Sequence, residues 1–251
     1  MNSPGPRIAY GRGFSLIELA VVLVIVTLLA GGLLVSLSAQ REEAARQETQ
    51  RRLQDARDAL LGFAAANGRL PCPAAPNATG IEAPAAGGTC TAPWNGYLPA
   101  VTLGLGPTDR NGYMVDAWEN PIRYAVTTVL DGGSSCATAC FTTSNGVKTA
   151  WNSGSTLAAD LSVCTSANGI SGTTCASGFK LTGDAVAVIF SLGSNGGTTT
   201  AGLDEAANTN NDRAFVYHTV TTGGANPFDD QVIWLSPNIL YNRLIAAGRL
   251  P

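Results

Sequence analysis

Glu18 is the one charged residue in an apolar run that extends from Phe14 to about Leu37 and is otherwise almost all Leu, Val, Ile and Ala. A carboxylate in such a setting costs about 2.5 kcal/mol or more if buried in a bilayer, so it is expected to have a partner or a task. The bland alternative is a charge tolerated near the interface by snorkelling. Cys72, Cys90, Cys136, Cys140, Cys164 and Cys175 carry the second kind of chemistry. Six cysteines leave the connectivity open. Local pairing suggests Cys72–Cys90, Cys136–Cys140 and Cys164–Cys175. A zinc site at Cys136-x3-Cys140 is the other reading, although no His lies nearby and an oxidising compartment favours disulfides. His218 is the only histidine and falls in an apparent strand. No nucleophile elbow, P-loop, dinucleotide fingerprint or metalloprotease helix appears, so the chain reads as a non-enzyme. A formal net charge of −3 and few aromatics argue against nucleic acid as a partner.

These residues must be held by elements that the periodicity predicts. The apolar run is long enough to span a bilayer as a helix. Gly31 and Gly32 are its weak point, since each Gly costs about 1 kcal/mol in a helix. From Gln40 to Asn67 the helix changes character. Arg41, Arg46, Arg51, Arg52 and Arg57 alternate with Glu42, Glu43, Glu48, Asp55 and Asp58. Glu42/Arg46 and Glu48/Arg52 stand at the favourable i,i+4 spacing. Leu53, Ala56, Leu60, Phe63 and Ala64 form an apolar stripe. Asn67-Gly68, with Pro71 and Pro73 beyond, is a stop signal. Residues 71–107 read as a long ordered loop that Trp94, Tyr97 and Leu98 pin to the core. Asp184 to Gly193 has apolar residues on both faces, which suits a central strand. Arg213 to Val220 and Gln231 to Leu235 are further strands. Ser236-Pro237 then opens a short helix over 238–247. Between them, 131–177 is rich in Gly, Ser and Thr and suits short hairpins tied by disulfides.

The N-terminal stretch Gly13-Phe14-Ser15-Leu16-Ile17-Glu18, preceded by Arg7 and Arg12, resembles the start of type IV prepilins and type II secretion pseudopilins. The resemblance implies cleavage by a prepilin peptidase between Gly13 and Phe14, and methylation of the new Phe14 amine. Glu18 would then set filament register by meeting the amine of a neighbouring subunit. Loss of Arg7 and Arg12 with the leader takes the formal charge from −3 to −5. The helix-kinking Pro of many family members is missing, and Val35 stands in that region.

Three further stretches are similar to the family. Gly68-Arg69-Leu70-Pro71-Cys72-Pro73 resembles a subset of pilin-like proteins. Asp116-Ala117-Trp118-Glu119-Asn120-Pro121 resembles the Asp-x-Trp-Gly-x-Pro turn of major pseudopilins, with Glu119 in place of Gly. A turn that delivers a strand is the expected role. Ser191 to Gly197, with Asp229-Asp230 and Trp234 downstream, resembles their calcium-holding end. It implies Leu192 (by its carbonyl), Asn195, Asp229 and Asp230 as ligands, with a long insertion between the halves. Asp204, Glu205, Asn208, Asn210 and Asp212, in that insertion, could add ligands, but their spacing fits no EF-hand loop.

The resemblance implies a pilin-like α+β fold: a long N-terminal α-helix packed on an antiparallel β-sheet, with disulfide-tied loops. Its parts would be a leader (1–13), a transmembrane and polymerisation helix (14–38), an amphipathic helix (39–67) and a globular domain (68–251). Expected partners are the peptidase, other pilin or pseudopilin subunits, an inner-membrane assembly platform and membrane lipid. The N-terminus would be cytoplasmic, by the positive-inside rule, and the globular domain periplasmic or extracellular. The other reading is a membrane-anchored or secreted binding protein with a conventional signal peptide cleaved near Ala39.

Overall fold

The computed structural model describes residues 14–76, 79–129, 139–154, 157–196, 202–221, 223, 224 and 226–251, and within its first helix the side chains of 30–37 lie outside the described set. The leader, with Gly13, lies outside it too. The chain divides into two compact units, Met1–Ala44 and Ala45–Pro251.

Helix α1 runs over Leu16–Asn67. Ser15 opens it: its Oγ accepts the Glu18 N–H at 3.2 Å, and its carbonyl accepts from Leu19 at 3.2 Å. A Ser three residues ahead of a Glu is an N-capping pattern, so this start is written locally. In the first unit every described side chain from Phe14 to Leu29 is exposed, with Leu16 89% and Leu28 71% accessible. The helix there is apolar nearly all round, and no described residue covers it.

In the second unit α1 buries one stripe: Leu53, Ala56, Leu60 and Ala64 are fully buried. They pack on a four-stranded antiparallel sheet of order β1-β2-β7-β9, formed by β1 (Gly96–Tyr97), β2 (Arg123–Val126), β7 (Ala187–Ser191) and β9 (Gln231–Leu235). Strand β7 is central, and all five of its residues are buried. Ala187 and Ile189 face the helix, while Val188 and Phe190 enter a second core. That second core is completed by Leu161, Val163, Ala185 and Phe215 of another sheet, of order β6-β3-β8. Its strands are β3 (Leu161–Cys164), β6 (Lys180–Ala185) and β8 (Ala214–Val216). The antiparallel sheet is thus buried on both faces, which explains why β7 carries no polar alternation.

Several details depart from the sequence expectation. The stretch from Asp184 to Gly193 is split at Val186 between β6 and β7, which belong to different sheets. Strand β8 covers only Ala214–Val216 and pairs in parallel with β3, an arrangement that hydrophobic pattern does not encode. Within 131–177, a hairpin of β4 (Ile170–Ser171) and β5 (Thr174–Cys175) forms, but a helix, α3 (Gly146–Asn152), lies beside it. Short helix α2 (Ala100–Leu103) sits in the segment read as a loop, and α4 (Leu203–Thr209) in the insertion, where no helix was expected. The last helix, α5 (Pro237–Ala246), follows Ser236 with Pro at its first turn, though the Ser236 side chain makes no capping bond.

Disulfides join Cys72 to Cys90 and Cys164 to Cys175. Cys140 is also disulfide-bonded; Cys136, its expected partner, lies outside the described residues. Next to the first bridge is an ion pair that sequence reading missed. Arg69 and Glu82, 8% and 6% exposed, form two hydrogen bonds of 2.7 Å. Glu82 also accepts the Cys72 N–H at 3.1 Å, and Arg69 lies over the Phe63 ring. The pair and the bridge together fasten the loop to the end of α1.

Candidate functional site

Strand β7 ends in a turn at Ser191–Gly193, and β9 begins beside it at Gln231. Gly193 has φ +64, and a Cβ there would collide with the Asp229 carboxylate. Glycine is therefore required for the turn to approach Asp229. Asp229 Oδ2 accepts the Ser194 N–H at 2.8 Å and the Ser194 hydroxyl at 2.6 Å.

From the insertion, α4 brings in Glu205. Oxygens of Glu205, Asp229 and Asp230 come within 4.8 Å of one another. Glu205 and Asp230 are 3% and 2% exposed. Glu205 accepts from the Asp229 N–H at 3.1 Å and from the Asn195 amide at 3.0 and 3.1 Å. Asp230 Oδ2 accepts from Asn208 at 2.7 Å. Asp229 Oδ1 and Asp230 Oδ1 are buried with no hydrogen-bond partner among the described residues. Burial pushes the Asp230 carboxyl up to about 8; the Asn208 hydrogen bond opposes this, and the charges of Glu205 and Asp229 add to it. Three clustered carboxylates with two orphaned oxygens fit a hard divalent cation, which takes oxygen ligands and offsets their repulsion.

The set differs from the one the resemblance implies. Asp229 and Asp230 are brought together. Asn195 turns its amide nitrogen to Glu205 and so acts as a donor to a carboxylate, and Leu192 is half-buried against the second core. Of the residues in the insertion, Glu205 joins the cluster and Asn208 supports it. Asp204 faces elsewhere, accepting from Ser166, Ala167, Asn226 and His218. Asp212 accepts from Ala214 and Asn210. Glu205 was not singled out because the helix that aims it is seven residues long and amid Gly, Thr and Asn, where periodicity carries no signal.

The Asp116–Asn120 turn backs this site. Asp116, 1% exposed, accepts from the Trp118 and Asn120 N–H groups at 2.9 and 2.8 Å and from the Ser191 hydroxyl at 2.5 Å. Burial raises its carboxyl above the usual range, against the pull of those bonds and of Arg52. Asn120 donates to the Gly193 carbonyl at 2.7 Å, and Arg52 of α1 donates to the Asp116 carbonyl at 2.8 Å. Glu119 keeps the turn that Gly would form, at φ +69. The segment therefore ties α1 to the turn beneath the carboxylates.

At the other end of the chain, the prokaryotic N-terminal methylation motif matches residues 10–34. This is the type IV prepilin-like signal, and it covers Gly13, Phe14 and Glu18. No curated protein and no solved structure matches the chain. Phe14 is 83% exposed, and the Glu18 carboxylate has no partner among the described residues. Among those residues no helix is long and apolar enough to cross a membrane. The sequence continues the apolar run through 30–37, outside the described side chains.

Proposed function

We propose that the chain is a prepilin-type structural subunit, not an enzyme. It is cleaved after Gly13, methylated at Phe14 and assembled into a type IV pilus or a type II secretion pseudopilus. The observation that carries this reading is the methylation motif at the head of a helix whose first half, Phe14 to Leu29, leaves every described side chain exposed. Such a surface is covered by lipid before assembly and by neighbouring subunits after it. In this reading the segment 14–38 crosses the inner membrane once, with the N-terminus cytoplasmic. Glu18, without an internal partner, meets the Phe14 amine of another subunit, which fixes register more than it adds stability. Calcium held by Glu205, Asp229 and Asp230 neutralises the carboxylate cluster. The peptidase, the assembly platform and sister subunits are the partners.

Intact mass and N-terminal sequencing of the protein from its native membranes test the reading. A chain beginning at N-methyl-Phe14 is expected. A start near Gln40 would replace the filament subunit with a secreted or anchored binding protein.

A further inference from the structure

Strand β9 is at the edge of its sheet: β7 pairs with one side, and among the described residues no strand pairs with the other. A cleft of about 260 Å³ opens there. Three consecutive residues of β9, Val232, Ile233 and Trp234, line it. Side chains of a strand alternate between faces, so three in a row on one cleft mean that the main-chain edge itself opens onto it. The facing wall is Gln50, Gln54 and Arg57 of α1, at i, i+4 and i+7, and therefore on one face of the helix. Tyr217 closes one side, edge-to-face with Trp234 at 6.0 Å between centroids.

The charge of this cleft is one-sided. No acidic side chain lines it. Arg57 Nε is buried and lacks an acceptor among the described residues, and the guanidinium donates only a 3.3 Å bond to Gln54. Arg57 is the one charged residue among those that line the cleft, so the cleft favours an occupant that supplies an anionic oxygen.

We propose that this cleft binds an extended polypeptide segment bearing a carboxylate, which adds as a strand to the free edge of β9 and sets its carboxylate on Arg57. Strand addition draws affinity from main-chain pairing and specificity from side-chain pockets. The planar guanidinium supplies the specificity here, since it matches a carboxylate better than any neutral group. The inference goes beyond the filament reading and does not depend on it.

The test uses the full chain in detergent micelles and two labelled peptides, Thr-Val-Glu-Val-Thr and Thr-Val-Gln-Val-Thr, each carrying a photoreactive group. The Glu peptide is expected to bind about tenfold tighter than the Gln peptide. Its cross-links should fall on Gln231–Leu235 and Gln50–Arg57. Arg57→Gln should erase the difference between peptides, whereas Tyr217→Ala should weaken both and keep the ratio. Equal affinities, cross-links elsewhere or no binding at millimolar peptide would overturn the proposal. So would self-association that Arg57→Gln abolishes while neither peptide binds, which would give the edge to a second copy of the chain.

Discussion

A charge on Asp230 is unfavourable in the cation-free fold, and the sign of its effect on stability follows. Its carboxyl titrates near 8 in the cation-free fold, against about 3.9 in an unfolded chain. Between those values the native state holds a proton that the unfolded state has released. The cation-free protein should therefore lose stability as pH rises from about 4 to about 8. Melting curves across that range, with chelator and then with calcium, check this; calcium should abolish the fall. Asp230→Asn should stabilise the chelated protein by about 1–3 kcal/mol at neutral pH, and should remove most of the gain from calcium. A loss of stability with chelator present would refute the account. Glu119 pays a different cost, that of a left-handed backbone. Glu119→Gly should raise stability by up to about 1 kcal/mol in denaturant titrations, since only Gly takes φ > 0 freely. At this scale the sequence was legible where a motif is contiguous, as at Gly13-Phe14 through Glu18. It was not legible where a residue acts through distant partners. Nothing near Glu205 in sequence announces Asp229 and Asp230, which join it only because α4 and β9 converge.

At the scale of elements, α1 and β7 were readable because burial imposes a period. The stripe Leu53, Ala56, Leu60 and Ala64 repeats at helical spacing, and β7 has two apolar faces because it has two cores. The parallel pairing of β3 and β8 was not readable, because register between strands fifty residues apart leaves no local mark. The Arg69–Glu82 pair was hidden for a similar reason, Arg69 lying just past the helix stop and Glu82 inside the stretch read as a long loop. Its removal is the clearest test of how the loop is held. Glu82→Ala leaves a buried guanidinium alone and should cost about 3–5 kcal/mol in chemical denaturation. Replacing both residues with apolar ones of similar volume should cost much less. Equal losses would mean that the Cys72–Cys90 bridge, not the pair, governs this region.

For the whole molecule, the two units follow different rules. The described residues of 45–251 bury most of their apolar side chains, chiefly in two large cores, while the described helix residues of the first unit hide none. In the filament reading proposed above, one chain combines a surface made for water with one made for lipid or for other subunits. Glu18→Ala should leave leader cleavage intact and sharply reduce incorporation into filaments, measured by shearing and immunoblotting. Normal incorporation would remove the register role while leaving the processing signal in place.

Arg249 gives a last contact its meaning. Its guanidinium donates to the carbonyls of Ala65 and Ala66, in the final turn of α1, which has no basic residue of its own. The two partners of the Ala65 bond are 184 positions apart. A ribosome therefore finishes the helix long before it delivers the side chain that seals its end. While the polypeptide is still being made, those two carbonyls must wait on water for their last bonds. The end of α1 closes fully only once Arg249 has been delivered, so a chain stalled before it would leave both carbonyls solvated.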